Sequence, residues 1–132
     1  MKTKEIERGE WSAFFDLFSR QHEGWTMTLE ILGSEIGAQI QERELVFEGI
    51  VADWNEVRGD QIAIMAGEKP DDHITHRIGR PIQVSFEYID EATDGVIMII
   101  SADGVTSLLR FHCPMFPKLV EGLADQLSQA PL

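Results

Sequence analysis

The chain changes its hydrophobic period at Gly24, and this change constrains its fold more than any other feature. Ahead of it, Trp11, Phe14, Phe15 and Phe18 stand at i, i+3, i+4 and i+7, which places four aromatic rings on one stripe of a helix. Leu17 widens the stripe. Glu7 and Glu10 lie near the positive end of that helix, and Arg20 and His22 near its negative end, as the macrodipole favours. Gly24 suits the position after the last helical residue. A helix with four large rings on one face has to be docked on a partner surface.

Past Gly24 the period becomes two. Trp25, Met27, Leu29 and Ile31 alternate with Thr26, Thr28 and Glu30, which reads as a strand with one wet face. After a turn at 33–37, a long extended segment runs from Ala38 to Trp54, re-phased by a bulge at Glu48-Gly49. Short strands follow at 61–66 and 73–78, the second with Ile74, His76 and Ile78 on one face. Gly79-Arg80-Pro81 breaks the pattern. Ile82, Val84, Phe86 and Tyr88 resume it. Val96-Ile97-Met98-Ile99-Ile100 is apolar on both phases, so both of its faces need cover, and the aromatic helix is expected on the outer one. Asp103-Gly104 suits a tight hairpin turn into a strand at 106–112. Pro114 and Pro117 end the sheet, and Leu119, Val120, Leu123 and Leu127 mark one face of a closing helix.

The expected fold is α+β: a small antiparallel β-barrel or strongly bent sheet of six to seven strands, with one N-terminal and one C-terminal helix. No repeat or linker divides the chain, so 1–132 reads as a single domain. Its parts are a helical region at 1–24, the sheet at 25–113, and a helix and tail at 114–132. Its 132 residues and 43% hydrophobic content suffice for a core. The chain carries 23 acidic and 11 basic side chains, a net charge of −12, and residues 25–70 contribute nine acids against three bases. That charge excludes a nucleic-acid backbone as a natural partner, because such binding rests on Lys and Arg releasing counterions. It also disfavours an anionic membrane surface. No apolar run approaches the ~20 residues of a membrane span, and the first residues lack the apolar core of a signal peptide. A lone cysteine, Cys113, suits a reducing cytoplasm.

The candidate site residues are Trp54, Asp72, His73 and His76. Asp71-Asp72-His73-Ile74-Thr75-His76 gathers carboxylates and imidazoles that could ligate a divalent metal. On a strand, however, His73 and His76 point to opposite faces, which leaves His76 core-facing between Ile74 and Ile78 and His73 in solvent. A core-facing His76 needs a hydrogen-bond partner, for which Asp72 is placed. Trp54 ends a strand beside a polar turn, where an aromatic serves either as a recognition anchor or as a cap on the open end of the sheet. His112 and Cys113 diverge on a strand and form no dyad. The acidic turn at 90–95 lacks two ligands of a calcium loop. Glu42 and Glu44 share an exposed strand face. No glycine-rich phosphate loop, nucleophile elbow or Cys-x-x-Cys pair is present, so no catalytic residue, resident metal or cofactor is expected.

The segments Met1-Lys2-Thr3-Lys4-Glu5-Ile6 and Phe18-Ser19-Arg20-Gln21-His22-Glu23-Gly24-Trp25 resemble a family of small bacterial proteins known as a domain of unknown function. The resemblance continues through Ile36-Gly37-Ala38-Gln39, Pro70-Asp71-Asp72-His73-Ile74-Thr75-His76 and Ser101-Ala102-Asp103-Gly104. It implies a bacterial, cytoplasmic setting and carries over no activity, cofactor or site residue.

The leading functional expectation is a non-catalytic binding or protein-interaction module, whose acidic sheet face steers a basic protein partner. The alternative is a small-ligand or divalent-metal-binding barrel using Asp72, His73 and His76. A third reading is a homodimer formed through an unpaired strand edge.

Overall fold

The computed structural model describes residues 2–33, 37–67, 73–90 and 94–112. After β1 (Lys2–Ile6) and a single 3-10 turn (Arg8–Glu10) comes the helix α1 (Trp11–His22). The strands β2 (Thr26–Gly33), β3 (Gly37–Asp53), β4 (Gln61–Ala66) and β5 (Ile74–Gly79) form one antiparallel meander. A second comprises β6 (Pro81–Asp90), β7 (Asp94–Ser101) and β8 (Thr106–His112). Pairing of β8 with β2 and of β1 with β6 joins them into one eight-stranded sheet, in the order β1-β6-β7-β8-β2-β3-β4-β5.

The long strand β3 sets the shape. Its first part pairs with β2 as far as Val46, and its last part pairs with β4 from Phe47 onward. A register shift between Phe47 and Gly49 separates the two, at the Glu48-Gly49 bulge expected from the sequence. A bulge bends a strand and increases its twist. The sheet therefore folds over at β3, and α1 lies in the trough.

Packing in the trough follows the ring stripe. Trp11, Phe15 and Phe18 are buried. The Phe18 ring meets Phe47, Phe86 and Phe111 edge-on at centroid distances of 5.9, 5.4 and 4.8 Å, the geometry that aromatic quadrupoles favour. Phe86, Ile97, Leu109 and Leu29 stand directly opposite one another across four adjacent strands, so they share the inner face.

A second stripe on α1 is polar. Ser19 Oγ accepts the Ile50 N–H at 2.9 Å and donates to the Ile50 carbonyl at 3.2 Å. One hydroxyl thus satisfies a β3 backbone pair beyond the end of β2. Two helical turns earlier, Ser12 Oγ accepts the Trp54 indole N–H at 3.0 Å. The helix is thereby fastened antiparallel to the end of β3.

Three expectations change. The sheet has eight strands, not six to seven. Among the described side chains of the added strand, β1, only Ile6 is buried, and an edge strand with one buried side chain leaves no alternating pattern to read. Among the described residues the edge strands β1 and β5 do not pair, so the sheet is open and not a closed barrel. The helix occupies the inner face, not the outer face of the doubly apolar strand. Ile97 and Ile99 are fully buried there, whereas Val96, Met98 and Ile100 remain half-buried on the outside, where Met98 is flanked by Ser85 and Leu108. The closing helix expected at 114–132 and Cys113 lie outside the described residues. Among those described, no helix is long and apolar enough to cross a membrane.

Two consequences are testable. A Cβ built on Gly95 would lie 2.8 Å from Phe86 Cε1 and 3.0 Å from its Cζ. Gly95→Ala therefore forces the Phe86 ring out of the inner-face cluster, and urea unfolding is expected to show a loss of about 1–3 kcal/mol. An unchanged midpoint would mean that the ring is loosely held. His22, stacked on Phe18 at 3.8 Å, is held below its ordinary pKa of 6.5 by burial, with its hydrogen bond to the Phe18 carbonyl pulling the other way. The unfolded chain therefore takes up this proton first. The contribution of neutral His22 is fully present above pH 6.5 and is lost as the pH falls toward the folded-state value. Urea midpoints of wild type and His22→Gln, compared between pH 7.5 and 5.5, are expected to show a steeper acid-side decline in the wild type.

Candidate functional site

The candidate site lies where the chain crosses from the first meander to the second. Only Arg80 separates the end of β5 at Gly79 from the start of β6 at Pro81. Arg80 takes a φ of 47°, the single positive φ at a non-glycine position among the described residues. For an L-residue this left-handed backbone costs about 1–2 kcal/mol, a cost that glycine escapes. The corner is pinned on both sides. The Arg80 N–H donates to the Asp60 carbonyl at 3.0 Å, and the Ala102 N–H donates to the Arg80 carbonyl at 2.9 Å.

Beside this corner a cleft of about 400 Å³ opens between β5 and the β7–β8 hairpin. Ile31, Ile78 and Val105 supply its apolar surface; His76, Arg80, Ser101, Asp103 and Ser107 supply the polar groups. No α1 residue lines it. Ser107 sits between Ile31 on β2 and Ile99 on β7 in one cross-strand row, at a position whose neighbours along β8, Leu109 and Phe111, are fully buried. Ser101 likewise extends the inward phase of Ile97 and Ile99. Both serines are nearly buried, at 5% exposure for Ser101 and 2% for Ser107.

Among the described residues neither serine hydroxyl has a protein hydrogen-bond partner, and no fully enclosed side-chain polar atom is left unsatisfied. Both hydroxyls are therefore open to the cleft that they line.

The charged groups around the cleft are unequally engaged. Arg77 also lines the cleft, and it is engaged by the Asp53 carboxylate at 3.7 Å and the Gln61 side-chain oxygen at 3.5 Å. Asp103 accepts the Val105 N–H at 3.2 Å and so holds the hairpin turn. Arg80 is exposed, and among the described residues its guanidinium has neither a carboxylate nor a hydrogen-bond partner.

Of the four residues singled out from the sequence, one lines this cleft. His76 is half-buried between Ile74 and Ile78, across from Ile64. His73 is exposed, and its Nε2 lies 2.9 Å from Glu48 Oε2. His73 precedes β5, in which His76 lies, and does not line the cleft with it. Asp72 lies outside the described residues. Among those described, no three His, Cys, Asp or Glu side chains gather to hold a metal ion.

Trp54 belongs to a different structure. Its ring stacks on Trp11 at 5.7 Å, and the Arg8 guanidinium lies 4.9 Å from the Trp54 ring and 5.0 Å from the Trp11 ring. Arg8 also bonds the Asp60 carboxylate and the Pro81 carbonyl. Since Asp60 and Pro81 flank the Arg80 corner, this clamp braces the cleft from behind. The early acids are in part neutralised within the fold: Glu30 faces Arg110 at 3.8 Å, Asp53 lies near Arg58 and Arg77, and Asp60 holds Arg8. The side chains of Glu42 and Glu44 lie outside the described residues.

Sequence reasoning missed Arg80, Ser101 and Ser107. The serines did leave a signal, a hydroxyl in the apolar phase of each of two neighbouring strands. Arg80 left none, because a left-handed arginine looks like any residue in a turn.

No functionally curated protein matches the chain. Among solved structures, the crystal structure of the Bacillus subtilis YojF protein is similar, with 11% sequence identity and a TM-score of 0.47. That match covers 85% of this chain and 94% of YojF. DUF5335, a family of unknown function, matches residues 2–119, nearly the whole of the sequence, and the chain belongs to that family.

Proposed function

We propose that the protein is a non-catalytic binding module that takes a small polar molecule into the cleft between β5 and the β7–β8 hairpin. The observation that carries this reading is the pair of nearly buried hydroxyls of Ser101 and Ser107 that line the cleft. A bound ligand would replace solvent as their hydrogen-bond partner. The volume of the cleft, about 400 Å³, falls in the range of small-molecule sites, and its mixture of isoleucine, valine and a few convergent polar groups is typical of them. The two serines and His76 offer hydrogen-bonding groups to a ligand from one wall of the cleft. A protein partner on an acidic sheet face has less support, given the internal pairing of Glu30, Asp53 and Asp60. The metal version has none from His73, which Glu48 engages away from the cleft.

The test is Ser107→Ala. Alanine removes the hydroxyl without adding bulk between Ile31 and Ile99, so the apo protein is expected to keep its stability to within about 1 kcal/mol. Fragment binding followed by amide NMR shifts is expected to map to Ile31, His76, Ser101 and Ser107 in the wild type and to weaken in the variant. If Ser107→Ala unfolds more easily by over about 1 kcal/mol, the hydroxyl is a structural group and the reading fails. It fails equally if no fragment perturbs these residues.

A further inference from the structure

Resting on the cleft reading above, we infer that the ligand is a small organic acid, whose carboxylate is held by Arg80 with Ser101 and Ser107 and whose short apolar body lies on Ile31, Ile78 and Val105. The chain as a whole carries a net charge of −12, and its field repels anions in general. At this cleft the balance reverses. Two arginines and one aspartate line it, Arg77 is engaged by Asp53 and Gln61, and the Asp103 carboxylate holds the Val105 N–H. The group left without a partner is the Arg80 guanidinium. Its planar fork of donors matches a carboxylate in two parallel bonds. Serine hydroxyls donate to the same oxygens, and the imidazole of His76 lines the same wall.

The backbone supports the assignment. The corner needs a left-handed residue, and the sequence has a glycine one position away, at Gly79, where φ is not positive. At the strained position it keeps an arginine. Strain held at a site whose side chain is otherwise unpaired marks that side chain as the reason for it. An organic acid is preferred to inorganic phosphate because three of the lining residues are aliphatic and phosphate would leave them unused.

The experiment titrates the full chain with butyrate, with its neutral amide butyramide and with inorganic phosphate, at matched ionic strength. Amide NMR and calorimetry are the readouts. Butyrate is expected to shift Ser101, Val105 and Ser107, and to bind at least about tenfold tighter than butyramide, since the amide forfeits the charge-assisted pair. Arg80→Gly relieves the backbone strain, so its apo melting temperature is expected to stay within about 4 °C of the wild type or rise, while butyrate affinity falls at least about tenfold. Equal binding of butyramide, or unchanged butyrate binding by Arg80→Gly, would overturn the carboxylate assignment and leave the cleft reading standing. Phosphate binding here without butyrate would overturn the organic-acid class. If none of the three probes shifts a cleft residue while neutral fragments do, the acid assignment alone falls. If nothing shifts them, both fall.

Discussion

Everything in this fold depends on the seating of one ring stripe in a bent sheet. An open antiparallel sheet of eight strands has a concave face that must be covered, and its two meanders share no long run of direct pairing beyond β8 with β2. The rings of α1 fill that face. Phe18 touches aromatic side chains on β3, β6 and β8 at once, so a single side chain ties together strands from both meanders. The hydroxyls of Ser12 and Ser19 then fix the helix along β3, because they bond groups that no neighbouring strand reaches. Apolar burial supplies the energy, and these few directional bonds choose the orientation.

The cleft follows from the same constraint. A helix of twelve residues covers one part of the trough and leaves the part near the β5–β6 corner without a lid. There the inward rows of β7 and β8 change from isoleucine, leucine and phenylalanine to serine, and the interior becomes wet. The brace of Arg8, Trp11, Trp54 and Asp60 lies behind the corner, which lets a strained arginine persist in a small protein. Trp54, exposed at the end of β3, is engaged in this brace through Trp11, Ser12 and Arg8.

Much of this was legible from the residues. The stripe of α1, the alternation of β2 and β5, the bulge in β3 and the Asp103-Gly104 turn all come from local periods and local backbone preferences, and they appear where those preferences place them. The strand β1 was hidden because its pairing with β6 is made by backbone groups, which carry no side-chain signature. The side of the sheet taken by the helix was hidden for another reason. A strand apolar on both phases announces that both faces are crowded without saying by what.

The sequence by itself determined a docked aromatic helix, a set of antiparallel strands with their inward phases, and an acidic chain with no phosphate loop or paired thiols. These are properties of neighbours along the chain, where spacing translates directly into geometry. The tertiary structure alone decided that the sheet stays open, that the helix fills its hollow, and that Arg80, Ser101, Ser107 and His76 meet at one cleft. Those residues come from three strands and the corner that links two of them. Their meeting depends on how far β3 bends and where the helix ends, which are outcomes of packing over the whole fold and leave no mark in any single stretch of residues.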